Sequence, residues 1–139
     1  MRRLGALVAV LVLTACGSGA KTPERWSGKV DVAGFNAFLD RVKPDASHSP
    51  LAAAAEFLRL DRSTAQTTSL VSRRNGEGGG PATVIVTLDR LPDDSIRAVR
   101  YLLRFERQKN GTWRLRSAFR RQRCWPGRGH QGFTPEPCV

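Results

Sequence analysis

The alternation of apolar and polar positions divides the chain into a helical part followed by a strand-forming part. Over residues 31–42 the apolar side chains recur at helical spacing, and Asp31 is suited to cap the helix. Ser49-Pro50 is typical of a second helix start, with the serine as N-cap and the proline at the first helical position. We therefore predict helices over residues 31–42 and 50–60.

After residue 61 the period changes from helical to alternating. The pattern predicts four strands, over residues 67–73, 82–88, 96–107 and 112–121. A glycine-rich loop over residues 75–81 and a turn over residues 92–95 separate them. Two helices followed by an antiparallel meander predict an α+β fold, with the helices packed on one face of the sheet.

The apolar positions of the last two strands determine their register. A two-residue turn would place the two apolar sets on opposite faces of the sheet. A three-residue loop over residues 109–111 instead pairs Phe105 with Leu115 and Tyr101 with Phe119, with Gly111 in the left-handed conformation. We predict the three-residue loop.

The same register brings arginines together on the other face of the sheet. It pairs Glu106 with Arg114, Arg104 with Arg116 and Arg100 with Arg120, so that five arginines share one basic face. Like charges directly opposite each other are destabilising. Three outcomes stay open: the side chains separate into solvent, they bind an anionic lipid surface or polymer, or a homodimer covers the apolar middle of the face.

The first fifteen residues have the pattern of an export signal. Arg2 and Arg3 precede a short apolar run, and Leu13-Thr14-Ala15-Cys16 is typical of a lipobox, in which Cys16 becomes the lipid-bearing N-terminus. The apolar run is about half the roughly 20 residues that a spanning helix needs. We predict a signal peptide over residues 1–15, a lipidated cysteine with a flexible tether over residues 16–29, and a folded domain from residue 30 to residue 123. The protein would then be anchored by lipid to a bacterial membrane, on the outer face of the cytoplasmic membrane or on an outer membrane.

Export determines how the remaining cysteines are interpreted. Cys124 and Cys138 form an even pair in an oxidising compartment, which predicts a disulfide that bounds a C-terminal loop over residues 124–139. Together with two histidines they lack the spacing of metal ligands, so we expect no metal and no cofactor.

The net charge of +11 falls to +9 when Arg2 and Arg3 are removed with the signal. The excess is almost entirely arginine, a bias that genomic base composition can produce. An exported basic domain is expected to meet anionic lipid or wall polymers, and we expect no nucleic-acid partner.

The C-terminal loop holds the clearest candidates for chemistry. In Gly127-Arg128-Gly129-His130, backbone amides freed by two glycines could bind an anion together with Arg128, and His130 could serve as a general acid or base. The alternative is structural, with the loop held on the core by Trp125 and Phe133. Asp93 and Asp94 could form a carboxylate pair, although their Pro-Asp-Asp-Ser setting favours a turn. No catalytic residue is assigned.

The helix opened by Ser49-Pro50-Leu51 and the hairpin around Asn110-Gly111 resemble the cystatin-like cone of the nuclear-transport-factor-two and SnoaL-like proteins. The resemblance implies a ligand pocket between sheet and helices, near Tyr101, but no particular activity. The cassette Arg123-Cys124-Trp125-Pro126-Gly127-Arg128-Gly129-His130, with a final Cys138, is similar to that of uncharacterised exported bacterial lipoproteins.

These features predict a membrane-tethered, non-catalytic domain that binds a small ligand, an envelope polymer or an envelope protein. The first alternative is a small envelope enzyme that uses the cone pocket, with His130 or an aspartate as base. The second is an electrostatic adaptor that lays the basic face on anionic lipid or polymer.

Overall fold

A computed structural model describes residues 28–74 and 80–139. Its elements are β1 (Lys29–Val30), α1 (Phe35–Val42), a 3₁₀ helix (Pro44–His48), α2 (Pro50–Phe57), a second 3₁₀ helix (Leu60–Arg62), β2 (Thr67–Arg74), β3 (Ala82–Asp89), β4 (Ile96–Arg107) and β5 (Trp113–Cys124). The predicted signal peptide, Cys16 and most of the predicted tether lie outside the described residues, as does the loop from residue 75 to residue 79.

The five strands form one antiparallel sheet in the order β1-β5-β4-β3-β2. Both α-helices pack on one face of this sheet, so the predicted α+β architecture is confirmed. β1 was not predicted: Lys29 and Val30 pair with Phe119 and Ala118, and Lys29 therefore belongs to the sheet and not to a tether. Within the described residues, no helix has the length and apolar character needed to cross a membrane.

The two helix starts differ in how well they follow the sequence pattern. Ser49 caps α2 as predicted, because its hydroxyl accepts the N–H of Ala52 at 3.4 Å, although the helix ends at Phe57. The prediction of Asp31 as a helix cap is wrong. Its Oδ1 accepts the N–H of Ala33 at 2.9 Å in a local turn, and α1 begins four residues later, after Gly34 with φ 74°.

The core lies between the helices and the inward face of the sheet. Its largest fully buried side chains include Leu39 of α1, Leu103 and Phe105 of β4 and Leu115 of β5. Ala53 and Ala54 of α2 are fully buried, and their small size lets the helix approach the sheet closely. Neither of the two described α-helices packs on the outward face of the sheet.

The loop between β4 and β5 has the predicted form. The N–H of Gln108 donates to Thr112 O at 2.8 Å, and Gly111 between them has φ 85°. Phe105 pairs with Leu115, as predicted. The register within the first few residues of this hairpin therefore follows from the alternation of apolar side chains.

Beyond that point a β-bulge at Arg116 shifts the register by one residue. Arg104 pairs with Ser117, and Tyr101 consequently pairs with Arg120 and not with Phe119. The predicted pairs Tyr101–Phe119, Arg104–Arg116 and Arg100–Arg120 are wrong, whereas Glu106–Arg114 is confirmed. The bulge turns Ala118 towards the core and sends Phe119 to the outward face.

Candidate functional site

The outward face of the sheet, which we call the outer face, carries a groove formed by three strands. The register places Ser69, Val71 and Arg73 of β2 beside Ile85 and Thr87 of β3, with Arg100 of β4 next to Thr87. These six residues line an open groove of about 290 Å³. Its aliphatic floor is Val71 and Ile85, and its polar groups are two guanidinium groups and two hydroxyls.

The arginines of the outer face are positioned by aromatic side chains and a hydroxyl. The guanidinium carbon of Arg100 lies 3.9 Å from the centroid of the Phe133 ring, and its Nε donates to Thr87 Oγ1 at 3.2 Å. Arg104 lies over Phe119 at 5.3 Å. Stacking of this kind orients a guanidinium while leaving its charge in place.

Among the described residues, no acidic side chain offsets the charge of Arg73, Arg100 or Arg104. Within the described part of the chain, no carboxylate oxygen lies within 4.0 Å of any of these three guanidinium groups. Arg73 and Arg104 are exposed and Arg100 is half-buried. The outer face therefore presents a positive potential to solvent.

The set of arginines predicted to share the basic face needs correction. Arg100 and Arg104 lie on the outer face, but Arg116 is paired with Glu106 at 2.7 Å. Arg114 reaches α1 instead, where its Nη1 donates to Asp40 Oδ1 at 2.6 Å. Because of the bulge, Arg120 leaves the outer face and donates to Gln122 Oε1 at 2.7 Å.

Sequence reasoning missed Arg73 as a member of this face. Its strand, β2, is exposed along its whole length and has no strong apolar alternation. The available signal was the order Ser69, Val71, Arg73 at every second position, which places the three side chains on one face of a strand.

One end of the outer face is neutralised by an internal ion-pair cluster. Asp89 lies 3.4 Å from Arg97 and 3.3 Å from Arg123. Partial burial alone would raise the pKa of Asp89, but the N–H of Arg90 and the two guanidinium groups together hold that pKa below its usual value. On the outer face, Asp89 therefore offsets the charge of Arg97 and Arg123.

The predicted disulfide between Cys124 and Cys138 is confirmed. It closes a loop that folds back on the sheet, where Gln122 and Thr134 exchange two backbone hydrogen bonds. Trp125 Nε1 donates to Asp93 O at 2.7 Å. Phe133 lies against Arg100 and Arg123 on the outer face, and not on the core as the structural interpretation of the loop supposed.

The structure gives the Gly127–His130 segment partners within the loop. The N–H of Arg128 donates to Trp125 O and its carbonyl accepts the N–H of Val139, both at 2.9 Å, while the residue as a whole is exposed. Gly127 and Gly129 have φ 80° and 125°. The backbone thus serves loop closure, and binding of an anion by these four residues stays a prediction.

His130 lies inside the loop, with both ring nitrogens facing carbonyl groups. Nδ1 is 3.0 Å from Gly132 O and Nε2 is 2.9 Å from Glu136 O. Nε2 is also 3.4 Å from Cys124 Sγ. In this arrangement neither nitrogen is directed at an open cleft, which disfavours a role as general base.

Asp93 and Asp94 form the predicted turn. Asp93 Oδ1 accepts the N–H groups of Ile96 at 2.6 Å and Ser95 at 2.8 Å, and these two hydrogen bonds lower the pKa of Asp93. Both aspartates border a polar cleft of about 400 Å³ that is also lined by Arg120 and Gln122. A carboxylate with a lowered pKa is a weaker base, which disfavours Asp93 as the residue that abstracts a proton.

Comparison of the chain with family models, with curated proteins and with solved structures finds no match.

Proposed function

We propose that this protein is a lipid-anchored, non-catalytic binding protein of the bacterial envelope whose partner is anionic and binds in the outer-face groove. The pattern of residues 1–16 supports export and anchoring. An anchored domain with a net positive charge lies close to the anionic groups of lipids and polymers, which it attracts over about a Debye length.

The observation that carries the proposal is that Arg73 and Arg100 line one groove and that no carboxylate of residues 28–74 and 80–139 lies within 4.0 Å of either guanidinium group. Ser69 and Thr87 add two hydroxyl groups at the same groove. Guanidinium groups with nearby hydroxyls match the oxygen atoms of a phosphate group, which accept several charge-assisted hydrogen bonds. The preferred partner is therefore a phosphate-bearing lipid headgroup or polymer.

The floor of the groove agrees with a partner that is only partly polar. Val71 is 44% exposed, and Ile85 is half-buried beside it. An apolar segment of the partner, such as the glycerol or the upper acyl region of a lipid, would cover these side chains and gain about 25 cal/mol for each Å² of apolar surface removed from water.

We further propose that the domain is a cystatin-like cone of the SnoaL-like kind, which is the finer statement of its α+β fold. In that fold the ligand pocket lies between sheet and helices. Here Leu39, Leu103 and Phe105 fill that space and are fully buried, which favours the outer face over an internal pocket. The enzyme alternative is weaker, because His130 and Asp93 are engaged with backbone groups.

The proposal is tested with the unlipidated chain from Gly17 onward. Binding is measured by flotation with phosphatidylglycerol-containing vesicles and, separately, by titration with soluble polyphosphate. We expect Arg73→Gln with Arg100→Gln to weaken binding at least tenfold and to reduce its salt dependence. Binding only to vesicles would identify a lipid surface, and binding to polyphosphate as well would identify a polymer.

The matched control is Arg41→Gln with Arg62→Gln, which removes the same charge from two exposed residues of the helical layer. Equal loss of binding in the two double variants would mean that net charge alone attracts the anion, and would contradict the proposal. Thermal unfolding of both variants establishes that they are folded, since Arg100 also contacts Phe133.

A further inference from the structure

Three atoms suited to binding a transition metal converge at the closed end of the C-terminal loop. Cys124 Sγ, Cys138 Sγ and one ring nitrogen of His130 all lie within 4.8 Å of one another. In the oxidised protein the two sulfurs are joined and neither is a thiolate. We propose that reduction of this disulfide creates a binding site for Zn²⁺ or a similar thiolate-preferring cation, with Cys124, Cys138 and His130 as ligands.

The first support is the distance between His130 and Cys124. Nε2 lies 3.4 Å from Cys124 Sγ. With bond lengths of about 2.3 Å to sulfur and about 2.0 Å to nitrogen, two ligands of a tetrahedral Zn²⁺ are separated by roughly 3.5 Å. This pair therefore already has the spacing of two ligands on one ion. The two sulfurs have to move apart, and the Glu136 carbonyl, 2.9 Å from Nε2, has to withdraw from the ring.

The second support is the orientation of the imidazole ring. Nδ1 faces Gly132 O at 3.0 Å, so a proton on Nδ1 donates to that carbonyl. A histidine that binds a metal through one nitrogen commonly donates its other N–H to a backbone carbonyl, which fixes the tautomer. With the proton on Nδ1, the Gly132 carbonyl would accept it, and Nε2 would keep the lone pair that a metal ligand needs.

The carbonyl group of Glu136 lies 2.9 Å from Nε2, on the side of the ring from which an ion would bind. Two ligands that are each about 2.0 Å from a tetrahedral ion are separated by roughly 3.3 Å, so this carbonyl has to move back when the ion enters.

Contacts other than the disulfide hold the loop in place. Gln122 makes two hydrogen bonds to the loop: its backbone N–H donates to Thr134 O at 2.8 Å, and its Nε2 donates to Glu136 O at 2.9 Å. Trp125 Nε1 donates a hydrogen bond to Asp93 O. A Cβ on Gly129 would lie 3.1 Å from Cys124 Sγ, so glycine keeps the space beside this sulfur open. The three ligands should therefore stay close after reduction.

The redox step is an ordinary thiol–disulfide exchange. A dithiol reductant transfers two electrons and two protons to the Cys124–Cys138 bond, which gives two thiols and leaves the reductant as a disulfide. Binding of the divalent ion then releases both thiol protons to solvent. In the reverse direction, a disulfide oxidant exchanges with the two thiolates, re-forms the Cys124–Cys138 bond and, with two protons from solvent, leaves as a dithiol. The ion then loses both sulfur ligands, so the site is present only in the reduced protein.

The test uses the full chain carrying Cys16→Ser, in which Cys124 and Cys138 are the only cysteines. The protein is reduced with a phosphine under argon and titrated with Co²⁺, whose thiolate charge-transfer absorption reports binding. We expect one equivalent to bind the reduced protein, Zn²⁺ to displace it, and the oxidised protein to give no such band. A reduced protein without the band, or an oxidised protein that shows it, would overturn the proposal.

Substitutions separate the histidine from the two thiols. His130→Ala should weaken Co²⁺ binding at least tenfold, whereas His48→Ala, which removes an exposed histidine of the Pro44–His48 helix, should leave it unchanged. Equal affinity of the His130→Ala and parent proteins would show that the thiols bind alone, against the proposal.

A second measurement does not depend on folding of the variant. In ¹⁵N-histidine-labelled reduced protein, Zn²⁺ should shift the Nε2 resonance of His130 and leave Nδ1 protonated. An unchanged Nε2 resonance at saturating Zn²⁺ would exclude His130 as a ligand. The inference does not rest on the proposed function, because anion binding in the outer-face groove involves neither cysteine.

Discussion

Asn36 and Leu115 exchange two hydrogen bonds between the helical layer and the sheet. The Asn36 Nδ2 group donates to Leu115 O at 3.1 Å, and Leu115 N–H donates to Asn36 Oδ1 at 3.0 Å. β5 pairs with β1 only at Ala118 and Phe119, so no strand in the described part of the chain lies beside Leu115 on this side. The side-chain amide takes the place of that neighbour and fixes α1 against β5.

We expect Asn36→Ala to lower the free energy of unfolding by about 1–3 kcal/mol, because a backbone donor and acceptor next to the core lose their partners. Alanine is the better helix former, so any intrinsic helix effect would act in the opposite direction. Urea unfolding followed by circular dichroism measures the change. A variant as stable as the parent would mean that water replaces the amide without cost.

The fold was predictable where a periodic pattern extends over several residues. β3, β4 and β5 alternate clearly, and Gly111 fixes the loop between the last two. β1 has only two residues and therefore no period of its own. The bulge at Arg116 could not be predicted, because the alternation continues formally through Ser117 and Phe119, and burial of Ala118 against the helices decides the register.

The candidate sites were also predictable only in part. The disulfide followed from the count of cysteines and the predicted compartment. The position of His130 beside Cys124 depends on how the chain returns after Gly129, which spacing along the sequence does not indicate. Predicting the groove on the outer face would have required the pairing of β2 with β3, because this pairing brings Val71 next to Ile85.

Phe133 provides a second measurable connection between the C-terminal loop and the sheet. Its ring lies 3.9 Å from the guanidinium carbon of Arg100 and 5.0 Å from that of Arg123. We expect Phe133→Leu, which keeps an apolar side chain but loses the aromatic face, to lower the free energy of unfolding by about 1 kcal/mol. Phe133→Tyr retains the ring and should be near the parent in thermal unfolding. Equal stability of the leucine and tyrosine variants would contradict a role for the ring.

Gly129 tests how closely the loop approaches the disulfide. Its φ of +125° is strained for any other residue, and an added Cβ would lie 3.1 Å from Cys124 Sγ. We expect Gly129→Ala to lower the free energy of unfolding by about 1–3 kcal/mol in the oxidised protein. Gly132→Ala is the matched control in the same loop, because nothing lies within 4 Å of its added Cβ. A Gly129 variant as stable as the Gly132 variant would contradict the close approach.

The Asp93 carboxylate makes stability depend on pH at the acidic end. Its pKa is lowered by the N–H groups of Ile96 and Ser95, so the folded protein binds this proton less readily than the unfolded chain does. The stability that the charged Asp93 contributes is fully present above the ordinary aspartate pKa of about 3.9. It is lost as the pH falls through the lower pKa that Asp93 has in the folded protein. Asp93→Asn should therefore be less stable than the parent at pH 7, with the difference shrinking below about pH 4.

Urea unfolding at a series of pH values measures this, with Asp45→Asn as a control that removes an exposed carboxylate from the Pro44–His48 helix. A difference between Asp93→Asn and the parent that stays constant down to pH 2 would show that the charge of Asp93 is not responsible.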